Sequence, residues 1–176
     1  MPLDISIVKK SVLDVQADII VNAANNSLLG GGGVDGAIHK KAGYNLYKEC
    51  LTLNGCDTGD VKLTKAYDIK TSSFIAHAVG PIYQNLAKDE QDLKSCYTKS
   101  LDLMLKNNCR SIAFPCISTG VYGYPINLAS KVVLDALKSW AICHKDFSAK
   151  VYICCFRDIE FNAYMALTQT QTFIYK

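Results

Sequence analysis

Residues 21–39 read VNAANNSLLGGGGVDGAIH, and this stretch decides the fold. An apolar run, IIV at 19–21, passes into polar Asn22, Asn25 and Asn26, then into four glycines, Gly30 to Gly33, and then into a segment of helical spacing. Adjacent glycines cost chain entropy and add nothing to a core. Alone, they are either a flexible surface loop or a place where backbone N–H groups approach an anion. A strand before them and a helix start behind them, with its partial positive charge, favour a phosphate or pyrophosphate. No GK[ST] follows, so this is not the nucleotide loop that carries a lysine and a magnesium-binding hydroxyl. Gly31, Gly33 and Gly36 fit G-x-G-x-x-G only because a glycine tract fits it cheaply, and no acid cleanly ends the next strand.

Outward from this stretch, short apolar runs alternate with helix-period segments. Strands are predicted over 5–8, 19–22, 61–65, 74–79, 111–116 and 151–156. Runs such as FIAHAV and VYICCF are continuous, as in strands covered on both faces. Helices are predicted over 35–42, 44–53, 89–106, 127–140 and 158–169. Leu93, Tyr97, Leu101 and Leu105 make one stripe; Leu128, Val132, Ala136, Leu137 and Trp140 make another, with Asn127 as a cap. This alternation gives an α/β chain: a three-layer α/β/α sandwich around a mixed, largely parallel sheet, with ligands bound beyond the strands' carboxyl ends. No repeat, linker or composition break divides it, so residues 1–176 are read as one domain.

The 176 residues carry 19 Lys+Arg against 16 Asp+Glu, a net charge of +3, too small and too scattered to imply a polyanion partner. Nucleic acid is neither indicated nor excluded. With 49% hydrophobic residues the chain has enough to fold without staples. Its longest apolar runs fall far short of a membrane span, and MPLDISIVKK lacks an apolar signal core. The eight cysteines form no C-x-x-C pair and sit mostly in apolar runs, so they are read as reduced core thiols. No Cys/His set has zinc-finger spacing, and no metal or cofactor is expected. An intracellular protein follows, in cytoplasm or nucleus, with no membrane partner and as a monomer.

A second loop reads PCISTGVYGYP over 115–125. Amides of Ser118, Thr119, Gly120, Val121 and Tyr122 can form a second anion nest facing the first; the alternative is a turn whose tyrosines fill a packing gap. Two such loops suggest a clamp around a diphosphate. Asp35 starts a helix, where dipole and amides favour its charged form. His39 follows one turn later on the same face.

Together, VNAANNSLLGGGGVDGAIH and FPCISTGVYGYP, with LNGCDTGD at 53–60 and HAVGP at 77–81, resemble the macro domain family, in its MacroD-type branch. The likeness runs from about residue 5 to 158 without large insertions. It implies the macro domain fold, with ADP-ribose as ligand and mono-ADP-ribosylated proteins as partners. It also implies hydrolysis of mono-ADP-ribose from Glu and Asp side chains and deacetylation of O-acetyl-ADP-ribose. By the same resemblance Asp18 accepts from the adenine amino group, Ile19 offers its amide nearby, and Phe156, ending the last strand, packs on the base. Gly31, Gly32, Gly33 and Val34, facing Ser118 to Tyr122, hold the phosphates. Asn25 binds the distal ribose, Tyr124 flanks it, and Asn22 braces the loop. Asp35 is the residue that matters most for turnover, with Asn25 and His39 beside it. A carboxylate leaves readily without metal activation, and either Asp35 or a substrate phosphate orients the attacking water. The alternatives are a reader that binds ADP-ribose without cleaving it and a phosphatase for ADP-ribose phosphate.

Overall fold

A computed structural model of the chain describes residues 3–170, with the side chains of the last two left aside. The six strands are β1 (Leu3–Val8), β2 (Ile19–Ala24), β3 (Val61–Lys65), β4 (Phe74–Val79), β5 (Ser111–Pro115) and β6 (Ala149–Cys154). They form one sheet in the order β1-β6-β5-β2-β4-β3. Every pairing is parallel except that of β3 with β4. Helices α1 (Gly33–Ala42) and α2 (Tyr44–Thr52) cover one face, and α3 (Ala87–Lys106), α4 (Ile126–Cys143) and α5 (Asp158–Thr170) cover the other. The predicted α/β/α sandwich with a mixed, largely parallel sheet is the fold observed.

Alternation along β2 sorts its residues between the layers. Ile19 and Val21 face α3 to α5, while Ile20 and Ala24 face α1 and α2. The same alternation turns Asn22 toward α1. On β4, Ile75 and Val79 face that layer too, so His77 between them does the same. Two polar side chains therefore sit inside the α1–α2 core, both with no exposure to solvent.

Several element bounds differ from expectation. β6 ends at Cys154 rather than at residue 156, because its register with β1 pairs Cys154 with Val8. Cys155 donates to the Val8 carbonyl, and the chain then turns into α5. Phe156 is thus in the connection rather than on the strand. Asn127 does not cap α4: Pro125 holds the cap position, no side chain bonds there, and Asn127 lies inside the first turn. Both predicted stripes drift. Leu128 and Leu105 are exposed, while Ala129, Val133 and Met104 are buried in their place. Four residues turn a helix about 400°, so an i+4 ladder walks off the buried face until an i+3 step corrects it.

Among the described residues no helix is long and apolar enough to cross a membrane. The eight cysteines are free, six of them buried. Residues 171–176, most of the tail following the likeness, lie outside the described residues.

Candidate active site at the carboxyl ends of the strands

β2 delivers Asn25 to the carboxyl end of the sheet, and residues 25–32 lead into α1. Asn25 shapes this first loop: its Nδ2 donates to the Gly30 carbonyl at 3.0 Å, and its Oδ1 accepts from Ser27 N (3.1 Å) and Ser27 Oγ (2.6 Å). Gly30 takes φ +98°, open to glycine at little cost, with the His39 ring directly behind it. Gly36 is required for a different reason: a Cβ there would lie 2.4 Å from the Gly31 carbonyl oxygen. That contact lets α1 start hard against the loop. Among the described residues the N–H groups of Gly31, Gly32, Gly33, Val34 and Asp35 meet no acceptor. They are the donor row that a helix start offers to an anion.

The second loop, residues 116–125, faces it. Val121 and Gly120 are exposed, and the N–H groups of Gly120, Val121 and Tyr122 likewise have no acceptor among the described residues. Ser118 and Thr119 are buried; the Thr119 hydroxyl anchors the loop, while Ser118 Oγ meets no partner among the described residues. Ser118 takes φ +66°, and its carbonyl accepts from Tyr124 N at 2.9 Å. Thr119 Oγ1 donates to Glu160 Oε2 at 2.8 Å, and Arg157 Nη2 donates to the Thr119 carbonyl at 2.7 Å. Glu160 Oε1 also accepts from Arg157 N, closing one side of a capping box at the start of α5. Behind the loop sits Gly80 of HAVGP, where a Cβ would lie 2.3 Å from Ser118 Oγ. Tyr124 is buried against Tyr83, ring centroids 4.7 Å apart. Phe156, 83% exposed, stands beyond β6 at this same end with its ring open to a stacking partner.

Asp35 occupies the third position of α1 and is 4% exposed. Its Oδ1 accepts from Asn22 Nδ2 at 2.8 Å and lies 3.5 Å from His39 Nε2. Its Oδ2 faces the first loop, 3.1 Å from where a Gly31 Cβ would stand. The helix start does not prevail at this carboxyl, contrary to expectation. Burial raises its pKa above the usual aspartate value, more than the Asn22 hydrogen bond and the His39 charge lower it. Of the other titratable groups facing this corner, burial pushes the Cys50 thiol up to about 11 and His77 down to about 3. His77 is therefore a neutral imidazole.

Asp18 and Ile19 are not part of this site. They stand at the amino end of β2, roughly 20 Å from Asn25 at the rise of a strand. Asp18 Oδ2 accepts from the backbone N–H groups of Arg110 (2.7 Å) and Ser111 (3.1 Å), tying the start of β5 to β2. Parallel strands put Phe156 at the carboxyl edge, and the residues beside it there are 9–12, which follow β1. Asn22 also departs from its expected role: it bonds the Asp35 carboxylate rather than the loop backbone. Sequence reasoning missed Glu160, Arg157 and Gly80. Glu160 was unreadable because the residue at the cap is Arg157, without the Ser or Thr that marks a capping box.

Fold and site together define a three-layer domain with two amide-lined loops closing on a buried, helix-start carboxylate. The model of the Macro domain family matches residues 21–133, and the chain belongs to that family. It is 48% identical over 162 residues to "ADP-ribose glycohydrolase MACROD1" of Bos taurus, a match covering 91% of this chain and 50% of that protein. It is 44% identical to "ADP-ribose glycohydrolase MACROD2" of Homo sapiens, covering 91% of this chain and 38% of that one. The chain thus spans about half the length, or less, of these curated relatives. Among solved structures, the Trypanosoma brucei macrodomain in complex with ADP-ribose superposes with a TM-score of 0.87 at 42% identity, covering 93% of this chain and 68% of that one.

Proposed function

We propose that the chain binds ADP-ribose in the crevice between the two loops and hydrolyses mono-ADP-ribose esters of protein carboxylates and O-acetyl-ADP-ribose. The observation that carries this reading is the Asp35 carboxylate, buried yet aimed by Oδ2 at the donor row of the glycine loop. A diphosphate takes the N–H groups of Gly31 to Val34 on one side and of Gly120 to Tyr122 on the other. Phe156 offers its exposed ring to the adenine, and Tyr124 lines the far end. The distal ribose then lies beside Asn25 and Asp35. Water held by Asp35 Oδ2 adds across the ester linkage: its oxygen goes to one side of the broken C–O bond and a proton to the other. Free ADP-ribose and the protein carboxylic acid leave, the latter ionising in water. His39, behind Gly30, keeps the loop closed over the reacting sugar.

The names of the curated relatives and the ligand of the superposed structure support this reading. A pure reader has no use for a buried acid whose ionisation its surroundings oppose. Incubation with a glutamate-ADP-ribosylated protein tests it. Release of free ADP-ribose by the wild type, and retention without release by Asp35→Ala, is the expected outcome. Tight retention by both proteins makes the domain a reader.

A further inference from the structure

Behind Asp35 lies a buried polar chain that crosses three strands: Asn22 on β2, His77 on β4 and Thr64 on β3, none more than 2% exposed. Its protons can be assigned one by one. Asn22 Nδ2 carries two; one goes to Asp35 Oδ1 at 2.8 Å, and the other meets His77 Nδ1 at 3.1 Å. The reversed amide would set its oxygen against the carboxylate, so this orientation goes with an ionised Asp35. His77 Nδ1 must then carry the lone pair and Nε2 the proton. Nε2–H donates to Thr64 Oγ1 at 2.9 Å, and the Thr64 hydroxyl, its own proton still to place, donates to the Lys65 carbonyl at 3.1 Å. The chain ends on backbone, with every proton spent in one direction.

We infer that Asn22 is a positioning residue for Asp35, with its amide locked by the Nε2–H tautomer of His77, which Thr64 fixes from β3. The lock pins Oδ1 inward and leaves Oδ2 as the oxygen turned to the glycine loop. It also offsets part of the desolvation that opposes an ionised carboxyl there. The inference rests on the proposed role of Asp35 and says how that role is maintained. It also settles a competing use of the same corner. His39, Cys50 and His77 bring three potential metal donors within 4.8 Å of one another. A protonated Nε2 has no lone pair to give, and the Nδ1 lone pair is taken by Asn22, so His77 is a lock rather than a ligand.

Ring nitrogen NMR on the uniformly 15N-labelled chain, near pH 6, reads the tautomer directly. The expected result is a neutral His77 with its proton on Nε2; a proton on Nδ1, or on both nitrogens, overturns the inference. In Asn22→Ala the turnover of the glutamate-linked substrate falls by ~10–100-fold while ADP-ribose affinity stays within about twofold. The acid limb of its rate profile moves to higher pH, because Asp35 has lost a donor that favours its charge. An unmoved limb overturns the inference. Should Asn22→Ala fail to fold, Thr64→Val removes the far anchor in nearly the same volume and shifts the limb in the same direction, by less; an unchanged profile counts against the inference. Full turnover in Asp35→Ala defeats the functional reading instead, while the His77 tautomer still reports on the chain itself.

Discussion

The two loops at the carboxyl end of the sheet offer the same thing, a row of unspent backbone N–H groups, but they are held in opposite ways. The glycine loop rests on the groups to which the proposed function gives the chemistry: Asn25 inside it, His39 against Gly30, and Asp35 anchored through Asn22. The second loop rests on groups that only hold: Glu160 and Arg157 gripping Thr119, and Gly80 admitting Ser118. On the proposed function the difference is a division of labour, in which one loop binds and reacts and the other binds alone.

Substitutions should separate along that line. The largest effect is expected for Asp35→Ala, which loses ~10²–10⁴-fold in turnover, in the range of a removed acid–base group, with ADP-ribose affinity changed only a few-fold. Steady-state release assays paired with titration calorimetry check it; equal losses in both would erase the contrast between the loops. Glu160→Ala leaves Arg157 N without its acceptor and Thr119 Oγ1 with the Cys116 carbonyl alone. It should cost roughly tenfold in ADP-ribose affinity, about 1.4 kcal/mol, with turnover of bound substrate little changed. A fall in turnover at saturating substrate would give the second loop a chemical role.

Stability should divide the supports in the same way. His77 is held neutral down to about pH 3, so between its unfolded value of 6.5 and that point only the unfolded chain gains the proton. Stability then falls as pH drops through this window, with a slope of up to ~1.4 kcal/mol per pH unit from this residue. Denaturant titrations of His77→Gln across the window should show a slope shallower by about one proton. Asp35 works the other way. Its pKa is raised in the folded chain, so its ionised form costs stability at neutral pH and the cost vanishes as pH falls below the unfolded value. Asp35→Asn keeps an acceptor for Asn22 and should raise Tm at neutral pH. A lower Tm would mean that the charge contributes to folding rather than opposing it. The smallest effect on ligand is expected for Asp18→Ala: affinity within about twofold, although two backbone N–H groups at the start of β5 lose their acceptor.

What the residues declare by themselves follows from where each signal resides. Continuous apolar runs, glycine tracts and helical spacing are local, so the six strands, the five helices and both loops could be read in order. Asp35 was legible because a glycine loop and a helix start flank it. Asn22, His77 and Thr64 were not legible as a unit, since strand order alone makes them neighbours: β2 beside β4 beside β3. Asp18 shows the converse error. The resemblance placed it at the adenine, yet it stands one residue before the strand whose other end carries the site, and a match along the chain does not say at which end of the sheet a residue lies. The sign of the Asp35 shift was missed for a related reason, because burial is a tertiary property that a helix-start position does not reveal.

The central claim is that ADP-ribose enters between the two amide rows at the carboxyl ends of the strands, with its distal ribose at Asp35. Backbone amide NMR during titration with ADP-ribose tests it most directly. The account predicts the largest shifts at Gly31 to Asp35 and at Gly120 to Tyr122, with Asp18, Ser72 and Ser111 unmoved at the far end of the sheet. Shifts concentrated at that far end, or confined to one loop, would contradict it.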